Sequence, residues 1–480
     1  MTTEPTMPGE RLSGVDRAWL NMERPTNPMT IVALIVFTTA LPLDRLRTVV
    51  RDRLLAIERF RCIPVADATG ARWRPLPEID VTDHVVSVVL PEPCGHSELE
   101  ALVGELASAP LNPARPLWSF HLVERYETGG ALVVRIHHAY ADGIALVQVL
   151  LGLGDRAPVA KTRRRRPQTD RLRLEAEALA SGTPMTSQYL AAVPAAVAEA
   201  LGEGAVLVKK GLHYLLHPQE AAAAATDVAA FAAELAHIAA LPDDPPTRLK
   251  QPLCGVRRAA WAQALSLQEV KTIGRVLGCT VNDVLISTLA GALGRLLAAS
   301  TTVPAERVVR AVVPVNLRAA SEPPLGNRFG LVFVELPVGI RHPLQRLYAV
   351  RASMRTLKRS AQPRVTLRLL WAVGSLPRPV EDAAIDLFSA KASLVASNLP
   401  GPADPIDIGG ARVSEVLFWV PQSGGLGVGV SMLSYAGRVQ FGVMADRNLM
   451  ARPAELVALI AAEFERLVYL VLLGAAALED

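Results

Sequence analysis

Cysteine is scarce in this 480-residue chain, occurring four times, and aromatic residues make up only 5% of it. Cys62, Cys94, Cys254 and Cys279 lie far apart, with neither metal-like nor redox spacing, so they read as reduced, buried thiols. Charge of one sign is also lacking. A formal net charge of +4 argues against a dedicated nucleic-acid binder, while a pI near 8.9 is compatible with acidic ligands or an anionic membrane surface. Long unbroken apolar runs are missing too. Thr26–Leu43 is interrupted by Pro28 and Pro42, and Val416–Gly437 by Pro421 and several glycines, so both read as strands and turns. The tail Leu467–Leu478 is too short to cross a bilayer, and Met1–Gly9 has neither a basic start nor a signal-type apolar core. No transmembrane segment is expected, and the scattered thiols point to a reducing compartment, so a cytoplasmic location is expected.

What is present is a globular composition, half hydrophobic and one fifth charged, in a chain long enough for two or more domains. Its organising stretch is Arg135–Leu146, Arg-Ile-His-His-Ala-Tyr-Ala-Asp-Gly-Ile-Ala-Leu. An apolar strand, Ala131–Ile136, leads into it, and a helix follows Gly143. His137 and His138 are adjacent at a strand end, so only one can face any given cavity. A neutral imidazole there can serve as general base for an alcohol or amine. Asp142 can hold a turn or pair with an arginine, and Gly143 permits close approach. Two other readings stand beside this one: a metal site of two imidazoles and a carboxylate, which adjacent strand histidines serve poorly, and two satisfied core histidines beside an ordinary turn.

Ser13 caps a short helix holding Trp19, and strands are expected at Ile31–Phe37, Val85–Leu90 and Ser119–Arg125, with helices at Leu43–Ile57 and Ser97–Ser108. These form a first α/β domain over 1–154. Residues 155–250 are a basic linker, containing Lys161–Arg166, and an alanine-rich helical crossover; 251–480 form the second domain. There Ser266 and Thr280 each cap a helix, and the second opens on Asn282-Asp283, where Asn282 is either a cap residue or a donor to substrate. Ala392–Ser397 is a strand entering the turn Asn398-Leu-Pro-Gly-Pro402.

His137-His138-Ala139-Tyr140-Ala141-Asp142-Gly143 resembles the His-His-x-x-x-Asp-Gly signature of the CoA-dependent acyltransferase superfamily. With Ser13–Leu20, Pro116-Leu117-Trp118, Asn282-Asp283, Gly326-Asn327 and Ser397–Pro402, the chain is similar to bacterial wax ester synthase/diacylglycerol acyltransferases. The resemblance implies two chloramphenicol acetyltransferase-like α/β domains, mixed sheets flanked by helices, with the site at their interface. It implies O-acyl transfer from fatty acyl-CoA, as substrate rather than cofactor, to a diacylglycerol or long-chain alcohol, without a metal. His138 would be the base, His137 and Asp142 would hold the turn, and Gly143 would admit substrate. Asn282 is a candidate orienting donor, and Ser397 and Asn398 are candidates to line the cleft. Peripheral attachment to the inner membrane face or to lipid droplets is a further implication. Two alternatives share the fold: an enzyme using a carrier-bound acyl donor, and a non-catalytic lipid-binding protein.

Overall fold

A computed structural model describes residues 9–67, 70–155, 233, 236–318, 326–374 and 377–476. The basic run Lys161–Arg166 and most of the crossover lie outside the described residues. The structure is built on two mixed sheets. The first has the order β12-β13-β1-β6-β5-β4, with β5 at Trp118–Tyr126 and β4 at Val85–Val88, and the second the order β10-β9-β11-β14-β15-β7, with β7 at Arg257–Trp261. In the first, β1 (Thr30–Phe37) and β6 (Gly129–His137) pair antiparallel, and every residue of both is buried. Strands covered on both faces need no polar alternation, so both segments read as continuous apolar runs.

The first sheet is completed by residues distant in sequence. β13 (Ala411–Trp419), with the short β12 (Asp407–Ile408) at its side, pairs antiparallel with β1 from Val32↔Trp419 to Phe37↔Val413. The chain then enters the second sheet as β14 (Val428–Tyr435) and β15 (Arg438–Asp446). There β14 lies parallel to β11 (Leu394–Pro400), which is parallel in turn to β9 (Val309–Asn316). Continuous pairing as far as Pro400↔Ser434 corrects one expectation: Asn398 and Leu399 continue the strand that holds Ser397 and do not form a turn, and the break comes only after Pro400.

Of the three apolar cores among the described residues, two flank the second sheet and position the site. One fills the junction of the sheets and gathers Ile31, Leu132 and Tyr140 with Phe329, Leu399 and Val416. The other lies behind the second sheet, under α6 (Val281–Ala298), α7 (Pro343–Leu357) and α10 (Ala454–Ala476). Among the described residues α6 is the one helix long and apolar enough to span a membrane, and 78% of it is buried inside the protein. Its apolar character is that of a core helix. Helix starts follow local chemistry. Ser13 caps α1 (Gly14–Asn21) through the Asp16 N–H, Ser266 caps α5 (Leu267–Val276) through Glu269, and Thr280 forms a reciprocal capping box with Asp283.

Candidate active site

β6 ends at His137, whose Nδ1 accepts from the Ala139 N–H at 3.1 Å and whose Nε2 lies 3.3 Å from the Glu23 carboxylate. The next residue leaves the ladder, the His138 N–H donating to Met29 O at 2.8 Å. The turn that follows is anchored from beneath by Tyr140, whose hydroxyl donates to Cys62 O at 2.6 Å and accepts from the Leu117 N–H at 2.9 Å. It closes at Asp142. One carboxylate oxygen caps α4 (Gly143–Gly152) by accepting from the Ala145 N–H at 2.9 Å. The other accepts from Arg318 at 2.7 Å and from the Arg328 N–H at 3.1 Å. Asp142 therefore fixes the turn to the chain leaving β9 and entering β10 (Phe329–Leu336).

His138 is only 4% exposed and lies in an aromatic slot. Its imidazole stacks on Trp19, with centroids 3.8 Å apart and planes 20° from parallel, and meets Phe329 at 5.6 Å. Its Nδ1 makes no hydrogen bond to a described residue. Burial drives its pKa down to about 3, against the opposing influence of its own carbonyl and of Asn327, so the ring is neutral at any physiological pH. Asn327 holds the backbone here, its side-chain NH2 donating to His138 O at 2.9 Å and to Asp16 at 2.8 Å. Burial raises the Asp16 carboxyl above its usual range, opposed by the Asn327 bond and by Arg59, 3.7 Å away.

Gly143 opens α4 beneath the second sheet. A Cβ there would come within 3.3 Å of Leu399 and 3.8 Å of Val420, so a side chain would press into β11 and the segment after β13. On β11, Val395 and Leu399 belong to the junction core, and Leu394 and Ala396 to the core behind the sheet. Strand alternation puts Ser397, 1% exposed, on the His138 side and Asn398 on the α6 side. Asn398 donates to the Asn282 side-chain oxygen at 3.0 Å, so these two amides form a pair at the start of α6. The structure thus groups His137, His138, Asp142 and Gly143 on one turn, and Asn282 with Asn398 on the other face of β11. Trp19, Glu23, Arg318 and Asn327 were not singled out by spacing, since each reaches the turn across the fold. Their only sequence signal is that Trp19 and Asn327 fall in two of the family-like stretches. Among the described residues no group of three or more His, Cys, Asp or Glu could hold a metal ion.

Comparison with known proteins bears on the family and the fold. Residues 12–285 match the wax ester synthase/diacylglycerol acyltransferase catalytic domain, and residues 325–468 match the C-terminal domain of the same family. A protein described as a probable diacylglycerol O-acyltransferase from Mycobacterium tuberculosis is 28% identical over 412 residues, covering 83% of this chain and 81% of that one. Among solved structures, a wax ester synthase/diacylglycerol acyltransferase from Marinobacter aquaeolei superposes with a TM-score of 0.66 at 18% identity, covering 96% of this chain and 99% of that one. The first condensation domain of a calcium-dependent antibiotic synthetase gives 0.58 at 15% identity, covering 98% and 97%. At those identities the two structures share the mixed α/β fold.

Proposed function

The chain belongs to the wax ester synthase/diacylglycerol acyltransferase family of acyltransferases, and from that premise we propose that it moves a fatty acyl group from acyl-CoA to the hydroxyl of a diacylglycerol or long-chain alcohol. The observation that carries the reading is the neutral, buried His138 ring held flat against Trp19. Its Nε2 takes the acceptor's proton as the hydroxyl oxygen attacks the thioester carbon. The tetrahedral oxyanion collapses, the carbon–sulfur bond breaks, and the imidazolium returns its proton to the CoA thiolate. Trp19 and Phe329 pack against the ring, and since this base-assisted route needs no nucleophilic serine or cysteine, direct transfer is favoured over a covalent acyl-enzyme. His137 and Asp142 hold the turn, and Gly143 leaves room where the sheets meet.

The proposal includes a cytoplasmic location, peripheral on the inner membrane face or on lipid droplets, with Lys161–Arg166 attracted to anionic headgroups. It also includes the division into units 1–154 and 251–480 joined by 155–250, with β12 and β13 lent back to the first sheet. The test is thiol release from palmitoyl-CoA with and without hexadecanol or dipalmitoylglycerol. The reading expects release that depends on acceptor and yields the matching ester, the better acceptor deciding between wax ester and triacylglycerol. Thiol release independent of acceptor, or none from folded protein, would sink it.

A further inference from the structure

The back of the second sheet carries an unpaired cationic face near the site. α6 runs from the amide pair Asn282–Asn398 away to Val338, whose carbonyl lies against Gly294. α7 returns antiparallel, Arg346 donating to Ser287 O and Arg351 reaching the α5–α6 turn, its guanidinium 3.7 Å from where a Gly278 Cβ would stand. The last turns of α7 therefore end at the same edge of the sheet where Leu399 meets Gly143. Arg351, Arg355 and Lys358 recur there at helical spacing along α7. With Arg275 of α5, none of them forms an ion pair with a described residue. Burial pushes the neighbouring Cys279 thiol up, while Arg351 and Arg355 oppose it, which places both guanidinium groups at this turn. Asp283, an acid beside them, is buried and accepts from the Thr280 N–H.

An independent feature shares the face. Tyr348 and Val276 are 45% and 60% exposed, large apolar surfaces on either side of the turn, and the Tyr348 hydroxyl reaches Leu277 O at 3.4 Å. A flat aromatic ring beside several unpaired cations suits a nucleotide carrying phosphates: the base lies on the ring and the phosphates meet the guanidinium groups. The Asn282–Asn398 pair joins the start of α6 to β11, whose next residue, Leu399, faces the junction core, and its two amides are able to bond the amides of an extended arm.

Resting on the reading of acyl-CoA as donor, we propose that Tyr348, Val276 and the cations of α7 and α5 bind the 3′-phosphorylated adenosine diphosphate end of the thioester. The pantetheine arm then passes Asn282 and Asn398 around the sheet edge to His138. The test compares palmitoyl-CoA with palmitoyl-N-acetylcysteamine, which lacks the nucleotide, in wild type and in the double variant Arg351→Ala/Arg355→Ala. The KM for palmitoyl-CoA should rise roughly tenfold or more, so that the preference of wild type for the CoA donor collapses. Adenosine 3′,5′-bisphosphate should compete with palmitoyl-CoA in wild type and not in the variant. An unchanged preference, or equal losses on both donors, overturns the proposal. So does a defect confined to binding of phosphatidylglycerol vesicles, which would assign the cations to lipid headgroups. Calorimetry with CoA needs no turnover: if wild type binds CoA and the variant does not, the site stands even where acyl transfer fails.

Discussion

At the scale of single residues, the site depends on two aromatic faces and one amide that hold an imidazole in a dry slot. A stacked indole fixes the ring plane, and in the proposed mechanism it would stabilise the imidazolium formed on His138, a cation–π contact of about 2 kcal/mol when desolvated. Trp19→Leu should therefore lower kcat by roughly tenfold or more, with Trp19→Phe recovering most of it. Steady-state kinetics checks this, and equal losses in both variants would contradict it. With His138 near 3, kcat/KM should show no acid limb from this group between pH 8 and pH 5, and an inflection near 6.5 would place the imidazole in water. The turn itself was legible because its members are contiguous. Trp19 was not, since nothing in Ser13–Leu20 beyond a family likeness ties it to a histidine more than a hundred residues away. Ser397 and Asn398 were legible as a pair of polar residues before two prolines, but their opposite faces depend on pairing with β14.

At the scale of elements, what was local was readable. The caps at Ser13, Ser266 and Thr280 lie within three residues of the N–H groups they satisfy. The α2 segment (Leu43–Val49) shows the limit: the helical pattern over Leu43–Ile57 gives way to a π-helical segment at Val50–Leu54. The three helices behind the second sheet are joined by a buried ion pair. Arg346, 2% exposed, donates to the fully buried Glu463 and to Ser287 O and Ile340 O, and a Cβ on Gly291 would meet that guanidinium. Glu463→Ala strands a buried cation and should cost about 3–5 kcal/mol in denaturant unfolding. A loss below 1 kcal/mol would mean that water reaches Arg346.

At the scale of the whole molecule, the halves are joined more closely than a tandem pair requires. β13 crosses into the first sheet, and α1 with the turn after it is clasped by α9 (Arg378–Ala390) through Asn21–Glu381 at 2.8 Å and Arg24–Asp382 at 2.6 Å. Neither could be read from periodicity, because strand register and helix docking between segments hundreds of residues apart leave no local pattern. Glu381 makes the clasp sensitive to pH. Burial lifts its pKa to about 7, so the folded protein holds a proton that the unfolded chain has released above its ordinary carboxyl value near 4.3. That contribution to stability is whole below the unfolded value and is lost as pH rises through about 7. Glu381→Gln should accordingly raise Tm by a few degrees at pH 8 and leave it nearly unchanged at pH 4.5, as followed by thermal melts. A constant offset at both pH values would contradict the assignment.

The central claim is that one imidazole carries the proton for acyl transfer. It is tested most directly by turnover of palmitoyl-CoA with its preferred acceptor in wild type, His138→Ala and His138→Gln, with the fold of each verified by circular dichroism. The account predicts a fall in kcat of about 10²–10⁴-fold in both variants, with little change in the KM for palmitoyl-CoA. Variants that keep kcat within tenfold of wild type would show that His138 is not the base.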